Sequence, residues 1–235
     1  MLAPGDWLYR DAHYLVCDME VDERAARRWL PAPLRLARPA TASIFIAWFP
    51  RTSFASVYRE AGLFLHVVHL CTRAVFSPWM LVDDDVALIL GRELLGYPKK
   101  LGEIDFHLEG ARVSGGARRR GVEVLRMEGE LGDLVHDPPP MLGRPHRNVR
   151  ASLGLALPKV IAFTPHEEPI CVHRASVRVT IGASERDPIV ELGFGAVRAS
   201  YLHRVNLRAP GMALPLPVAP VSPAWLARHL LLRTH

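Results

Sequence analysis

The chain has 235 residues, 49% of them apolar and 23% charged, with 20 Pro and 17 Gly, which is the composition of a folded globular domain and excludes a low-complexity or disordered chain. Its formal charge of +5 comes from 29 Lys and Arg against 24 Asp and Glu, and the arginines are scattered, with a single run at Arg118-Arg119-Arg120, which argues against a nucleic-acid partner. No apolar run approaches the roughly 18 residues of a membrane helix, Met1 to Trp7 has neither the basic nor the apolar region of a secretion signal, and Cys17, Cys71 and Cys171 are odd in number and far apart. The expectation is therefore a single cytoplasmic domain over residues 1–235, without membrane or disulfide framework and with reduced cysteines in its core.

In chain order, Val21 to Leu30 predicts a short helix, with acids in its first turn, arginines near its end and Pro31 and Pro33 stopping it. Ala42 to Phe49 and Gly62 to Cys71 are rich in Ile, Val, Phe and Leu and predict strands. Asp83-Asp84-Asp85 reads as a turn between two apolar strands. Gly102 to Val113 and Gly121 to Leu131 predict a hairpin whose solvated tip carries the three arginines. Val160 to Phe163, Ile170 to Ile181 and Ile189 to His203 are further strands. In the second, which alternates in part, Val172, Arg174, Ser176 and Arg178 face one way and His173, Ala175, Val177 and Val179 the other. A proline-rich connector, Pro210 to Pro223, leads to a C-terminal helix. Many strands, few helices and no βαβ alternation predict a mainly antiparallel β (α+β) domain, its sheet closed or nearly so.

Only three of the basic residues are lysines, and two of them, Lys99 and Lys100, stand together in Gly91-Arg-Glu-Leu-Leu-Gly-Tyr-Pro-Lys-Lys-Leu-Gly102. A lysine can lose its proton and form a Schiff base with a ketone, which an arginine cannot. His66 and His69 are three apart on a predicted strand, too far round to share a metal. No phosphate loop or nucleophile elbow is present, and nothing implies a metal or an organic cofactor.

Around these lysines the sequence resembles the acetoacetate decarboxylase family, which carries Gly-Arg-Glu followed by an aromatic-Pro-Lys-Lys-Leu stretch. The likeness extends to Leu30-Pro-Ala-Pro-Leu34, to Tyr58-Arg-Glu-Ala-Gly62 and to Asp83 to Leu90, and more weakly to Lys159-Val-Ile and Ile170-Cys171. It implies a cone-shaped β-barrel with a few short helices, Lys99 as Schiff-base nucleophile, Glu60 as catalytic acid, Lys100 as the neighbour that tunes the nucleophile, and a pocket lined by Leu95, Tyr97 and Leu101. It also implies a cofactor-free lyase acting on a small keto acid and a homo-oligomer, to which Trp225, Leu226, Leu230 and Leu231 are candidate contacts. Two family positions differ: the active-site arginine falls near Ala12 and a second acid near Ile44, leaving Arg10 and Arg59 as candidate replacements for the cation. The alternatives are an aldolase-dehydratase that joins pyruvate to aldehydes on the same lysine, or a binding protein without catalysis.

An ordinary lysine is neutral about once in 2,500 at pH 7, so a nucleophilic one needs roughly 4.6 kcal/mol of differential destabilisation of its ammonium. Adjacent residues of an extended segment point to opposite sides, which places the two ammonium groups about 10 Å apart and limits their repulsion to about 1.7 kcal/mol at an effective dielectric near 20. For this family's lysine, desolvation and a neighbouring cation are the standing explanations. Burial is the larger of the two here, since it can shift a lysine by 3 to 5 units. An ionised carboxylate in contact would favour the ammonium, so Glu60 is expected a few ångströms away or neutral.

Overall fold

The computed structural model describes residues 7–151, 157–209 and 215–234, with side chains of the last helix described as far as His229. Its elements in chain order are β1 (Trp7–Val21), α1 (Glu23–Trp29), β2 (Arg35–Leu36), β3 (Thr41–Phe49), β4 (Arg51–Thr52), β5 (Tyr58–His69), β6 (Thr72–Val82), α2 (Asp85–Glu93), β7 (Lys99–Leu101), β8 (Glu103–Glu109), β9 (Arg112–Arg119), β10 (Val122–Leu134), β11 (His146–Arg150), β12 (Lys159–Phe163), β13 (His166–Ile181), β14 (Phe194–Ala209), β15 (Leu216–Pro220) and α3 (Pro223–Thr234).

All these strands belong to one sheet, in the order β15-β12-β11-β6-β5-β3-β1-β14-β13-β10-β9-β8, with β2 on β5, β4 on β1 and β7 on β6. Pairs are antiparallel except for β7 and β11, each of which runs parallel to β6. Among the described residues the ladder stays open, with β15 and β8 as its ends, so the expected closure is not made by hydrogen bonds. The sheet curls instead until β8 and β9 lie over β3 and β5. The approach is close enough that a Cβ on Gly115 would lie 3.0 Å from Ile46 Cγ2.

Curling buries the central strands on both faces. Leu15, Cys17, Ile44, Ile46, Leu63, Leu65 and Leu81 enter one core. Tyr14, Val16, Phe45, Phe49, Phe64 and Met80 enter a second. Two cores explain why these strands are apolar at nearly every position, whereas β13 alternates as expected, with Ala175, Val177 and Val179 turned to the first core and Arg174, Ser176 and Arg178 exposed.

Several expectations change. Asp84 caps a helix, its side chain accepting from Ala87 N at 2.8 Å, so the stretch after the three aspartates is α2 and not a strand. Gly110, at φ +59°, turns the chain between β8 and β9, making a three-stranded meander where one hairpin was expected. Arg119 is an ion-paired strand residue rather than part of a solvated tip. Ile189–Leu192 is a 3₁₀ turn that precedes β14. Cys17 is buried, but Cys71 is exposed at a turn. Trp225 and Leu226 are partly buried against the first core, while the side chains of Leu230 and Leu231 lie outside the described residues. No described helix is long and apolar enough to cross a membrane.

Candidate active site

Strand β7 is only three residues long, and its register on β6 sets Met80 beside Lys99, Leu81 beside Lys100 and Val82 beside Leu101. Met80 belongs to the second core and Leu81 to the first. The two lysines therefore leave the sheet on opposite faces. Gly96, at φ +64°, makes the turn from α2 into β7, and Asn148 of β11 holds that turn by donating to Leu95 O at 3.0 Å.

Lys99 Nζ donates to Glu60 Oε1. Glu60 stands on β5 between Ala47 of β3 and Val82 of β6. Both side chains are almost wholly buried, 5% and 9% exposed, where a charge without a partner would be costly. Contact thus replaces the expected gap of a few ångströms. Two rings flank the amine, with the centroids of Tyr58 and Tyr97 at 5.9 and 5.8 Å from Nζ, within cation–π range. Gly91 of α2 makes room for the lysine's end, since a Cβ there would meet Lys99 Cε at 2.6 Å.

The pair opens into a cavity walled by rings, among them Trp7, Tyr9, Tyr14, Phe45, Phe64 and Phe163, with Leu95 and Tyr97 at its lysine end. Among the described lining residues Lys99 and Glu60 are the only charged side chains. The interior is small. About 40 Å³ is open to the centre of a water-sized sphere, a few times what one buried water needs. Tyr97 is fixed from behind by His146, whose Nε2 lies 3.2 Å from Leu142 O and whose Nδ1 lies 3.2 Å from the Tyr97 hydroxyl. A carbonyl only accepts, so Nε2 carries the proton, Nδ1 accepts, and the Tyr97 hydroxyl donates. Burial pushes the His146 imidazole down to about 3, which keeps it neutral. Burial, with the charge of Glu60 as the next cause, holds the phenols of Tyr14 and Tyr97 well above their ordinary value. No group of three or more His, Cys, Asp or Glu among the described residues is arranged to hold a metal.

The family model described as acetoacetate decarboxylase (ADC) matches residues 2–213. The chain belongs to the acetoacetate decarboxylase family. It is 33% identical over 100 residues to the acetoacetate decarboxylase of Chromobacterium violaceum, a match covering 43% of this chain and 40% of that protein. The chain thus matches about two fifths of that curated relative's length. Among solved structures it is similar to an acetoacetate decarboxylase, with a TM-score of 0.84 at 18% identity over 93% of this chain and 91% of the other. It is also similar to the enduracididine biosynthesis enzyme MppR complexed with the condensation product of pyruvate and imidazole 4-carboxaldehyde, with a TM-score of 0.80 at 19% identity over 93% and 91% of the two chains.

Of the residues that the family likeness singles out, Lys99, Glu60, Leu95 and Tyr97 come together around this cavity. Leu101 does not. It sits beside the last residue of β6 and is 55% exposed, so it is not pocket-lining. Lys100 faces the first core, where it pairs with Asp187, which also accepts from Trp79 Nε1 at 2.9 Å and Arg119 Nη1 at 3.2 Å.

The suggested replacements for the missing cation lie elsewhere. A register shift between Tyr9 and Ala12, with Asp11 at φ +56°, turns Tyr9 into the cavity and leaves Arg10 exposed. Arg59, one residue before Glu60 on β5, turns to the other side and bonds Asp83 at 3.3 Å. Ile44 faces the first core, so an acid at that position would not reach the cavity, whose β3 positions are Phe45 and Phe49. Sequence reasoning passed over Tyr14 and His146, which carry no local motif, and took Tyr58 and Gly91 only as the starts of two quoted segments.

Proposed function

We propose that this chain is a cofactor-free Schiff-base lyase that decarboxylates a small β-keto acid, acetoacetate or a near relative, through Lys99. The observation that carries the reading is the Lys99–Glu60 pair at the base of an aromatic cavity with no other charged side chain among its described lining residues. In contact and nearly free of water, the pair can exchange a proton, ammonium and carboxylate becoming amine and carboxylic acid. The amine then attacks the ketone carbon. Glu60 returns its proton to the departing hydroxyl, which leaves as water, and a protonated imine remains. The imine accepts the electron pair of the bond to the carboxylate, releasing carbon dioxide and an enamine. Protonation at carbon and hydrolysis free the ketone and Lys99.

The surroundings favour the bond-breaking step. A β-keto carboxylate concentrates its charge on two oxygens, and that charge moves toward the iminium as carbon dioxide forms, so an apolar wall disfavours the starting state more than the transition state. A second reading, aldolase-dehydratase chemistry on the same lysine, has the MppR complex as its support. Pyruvate, however, keeps its carboxylate through to product, and among the described residues no arginine, histidine or further lysine lines the cavity to hold it.

Borohydride with a panel of β-keto and α-keto acids tests the proposal. The expected result is a covalent adduct on Lys99, absent from Lys99→Arg, with carbon dioxide released from the β-keto acid. No adduct across the panel, together with labelling of Lys99 by an amine-reactive probe no faster than that of Lys159, would remove the enzyme reading in favour of a binding protein. An enone from pyruvate and an aldehyde, without carbon dioxide, would favour the second reading.

A further inference from the structure

We infer that the Tyr14 hydroxyl is a substrate-binding group of this site, donating a hydrogen bond to the carboxylate of the keto acid. The inference rests on the decarboxylase reading above. It follows from an account of the hydrogen-bond donors that face the cavity. Lys99 donates to Glu60, and Tyr97 donates to His146. Tyr14 lines the same cavity and is 1% exposed, yet among the described residues nothing pairs with its hydroxyl. A buried hydroxyl without a partner asks for an acceptor.

Sheet geometry shows which acceptor fits. Tyr14 lies opposite Ala47, and Ala47 lies opposite Glu60, so tyrosine and glutamate stand two strands apart across a small residue. Two strand spacings are about 9.6 Å. A keto acid lying over Ala47 would set its ketone at Lys99 beside Glu60 and its carboxylate toward Tyr14, away from the glutamate's charge. Ala12 precedes Tyr14 by two residues in the same core, so no side chain from that position fills the space with charge. Burial keeps the phenol protonated, hence a donor. A single neutral donor orients the carboxylate without neutralising it, which suits a group that must leave as carbon dioxide.

Tyr14→Phe removes the hydroxyl and keeps the ring against Phe45 and Phe49, now 5.8 and 5.4 Å away. Binding of butyrate, a carboxylate that cannot form an imine, is followed through the fluorescence of Trp7 at the cavity wall. Trapping of butanone by borohydride at Lys99 is followed in parallel. The expected result is roughly ten- to hundredfold weaker butyrate binding, the range for a hydrogen bond to a charged group, with butanone trapping within about twofold of wild type. Equal butyrate affinity in wild type and variant would overturn the inference, as would a wild type that binds no butyrate or an equal loss of both signals. A wild type that binds butyrate through Tyr14 but traps no ketone would instead remove the decarboxylase reading and leave the carboxylate site standing.

Discussion

Gly91→Ala tests the packing of Lys99 directly, because elementary helix physics and the local geometry predict opposite effects on stability and on the proposed chemistry. Gly91 lies within α2, and alanine in a helix interior is more favourable than glycine by about 1 kcal/mol. The new Cβ, however, would lie 2.6 Å from Lys99 Cε, 2.8 Å from Cδ and 2.9 Å from Nζ. Ordinary carbon contacts begin near 3.5 Å, so the end of the lysine must retreat by about 1 Å. Because that end is flexible, the backbone can stay in place while the amine leaves its position beside Glu60. A displacement of about 1 Å costs on the order of a hundredfold in a positioned reaction. Calorimetry should therefore show a Tm equal to wild type or up to a few degrees higher, while the rate of borohydride trapping with a β-keto acid falls about a hundredfold. Wild-type trapping by a well-folded variant would refute the reasoning, and loss of fold would show that the glycine serves the backbone instead.

Lys100→Ala leaves Asp187 with Arg119 and the Trp79 indole but without its closest cation, and breaking so buried a pair should lower stability by about 3 kcal/mol in urea titration. Lys100 faces the other core, so trapping at Lys99 should stay within about threefold in the folded variant; a much larger loss at unchanged stability would restore Lys100 as the tuning neighbour. The third prediction concerns acid. Burial, and after it the Arg144 charge, pushes the His203 imidazole down to about 4 from an ordinary 6.5. Below pH 6.5 the unfolded chain therefore binds a proton that the folded chain does not. The stabilising effect is complete above pH 6.5 and is lost as pH falls toward 4, to a limit of about 3 kcal/mol. His203→Phe should flatten the fall in urea midpoint between pH 7 and 4.5, and an unaltered slope would show that the imidazole is not protected as described.

The fold was legible wherever one rule dominated. β13 has a dry and a wet face, so its alternation could be read residue by residue. α1 carries its cap at Asp22 and its stop at Pro31. β1, β3, β5 and β6 were harder, since burial on both faces erases alternation and leaves only apolar richness. The helix after Asp84 was misread for a related reason: Val86 to Leu90 is apolar enough for a strand, and only the capping geometry of the aspartate decides otherwise. Closure was the least legible feature. Whether the two end strands meet depends on accumulated curl, to which no single residue testifies.

The site divides in the same way. A chain sparing of lysine that places two in one apolar segment makes Lys99 visible without any structure, and the family likeness adds Glu60, Leu95 and Tyr97. Contacts across long sequence separations stayed hidden. Tyr97 leans on His146, 49 residues away, and Lys100 on Asp187, 87 residues away. The single-residue offset at Asp11 had the largest consequence for the cavity lining. Were β1 regular through that point, Arg10 would share the inward face with Ala12 and Tyr14 and supply the cavity with a cation. The register shift sends Arg10 out and Tyr9 in, so the cavity has a ring at the position where the missing cation was sought. On the proposed reading, recognition of a carboxylate then falls to neutral hydroxyls, a setting that suits losing that group better than keeping it.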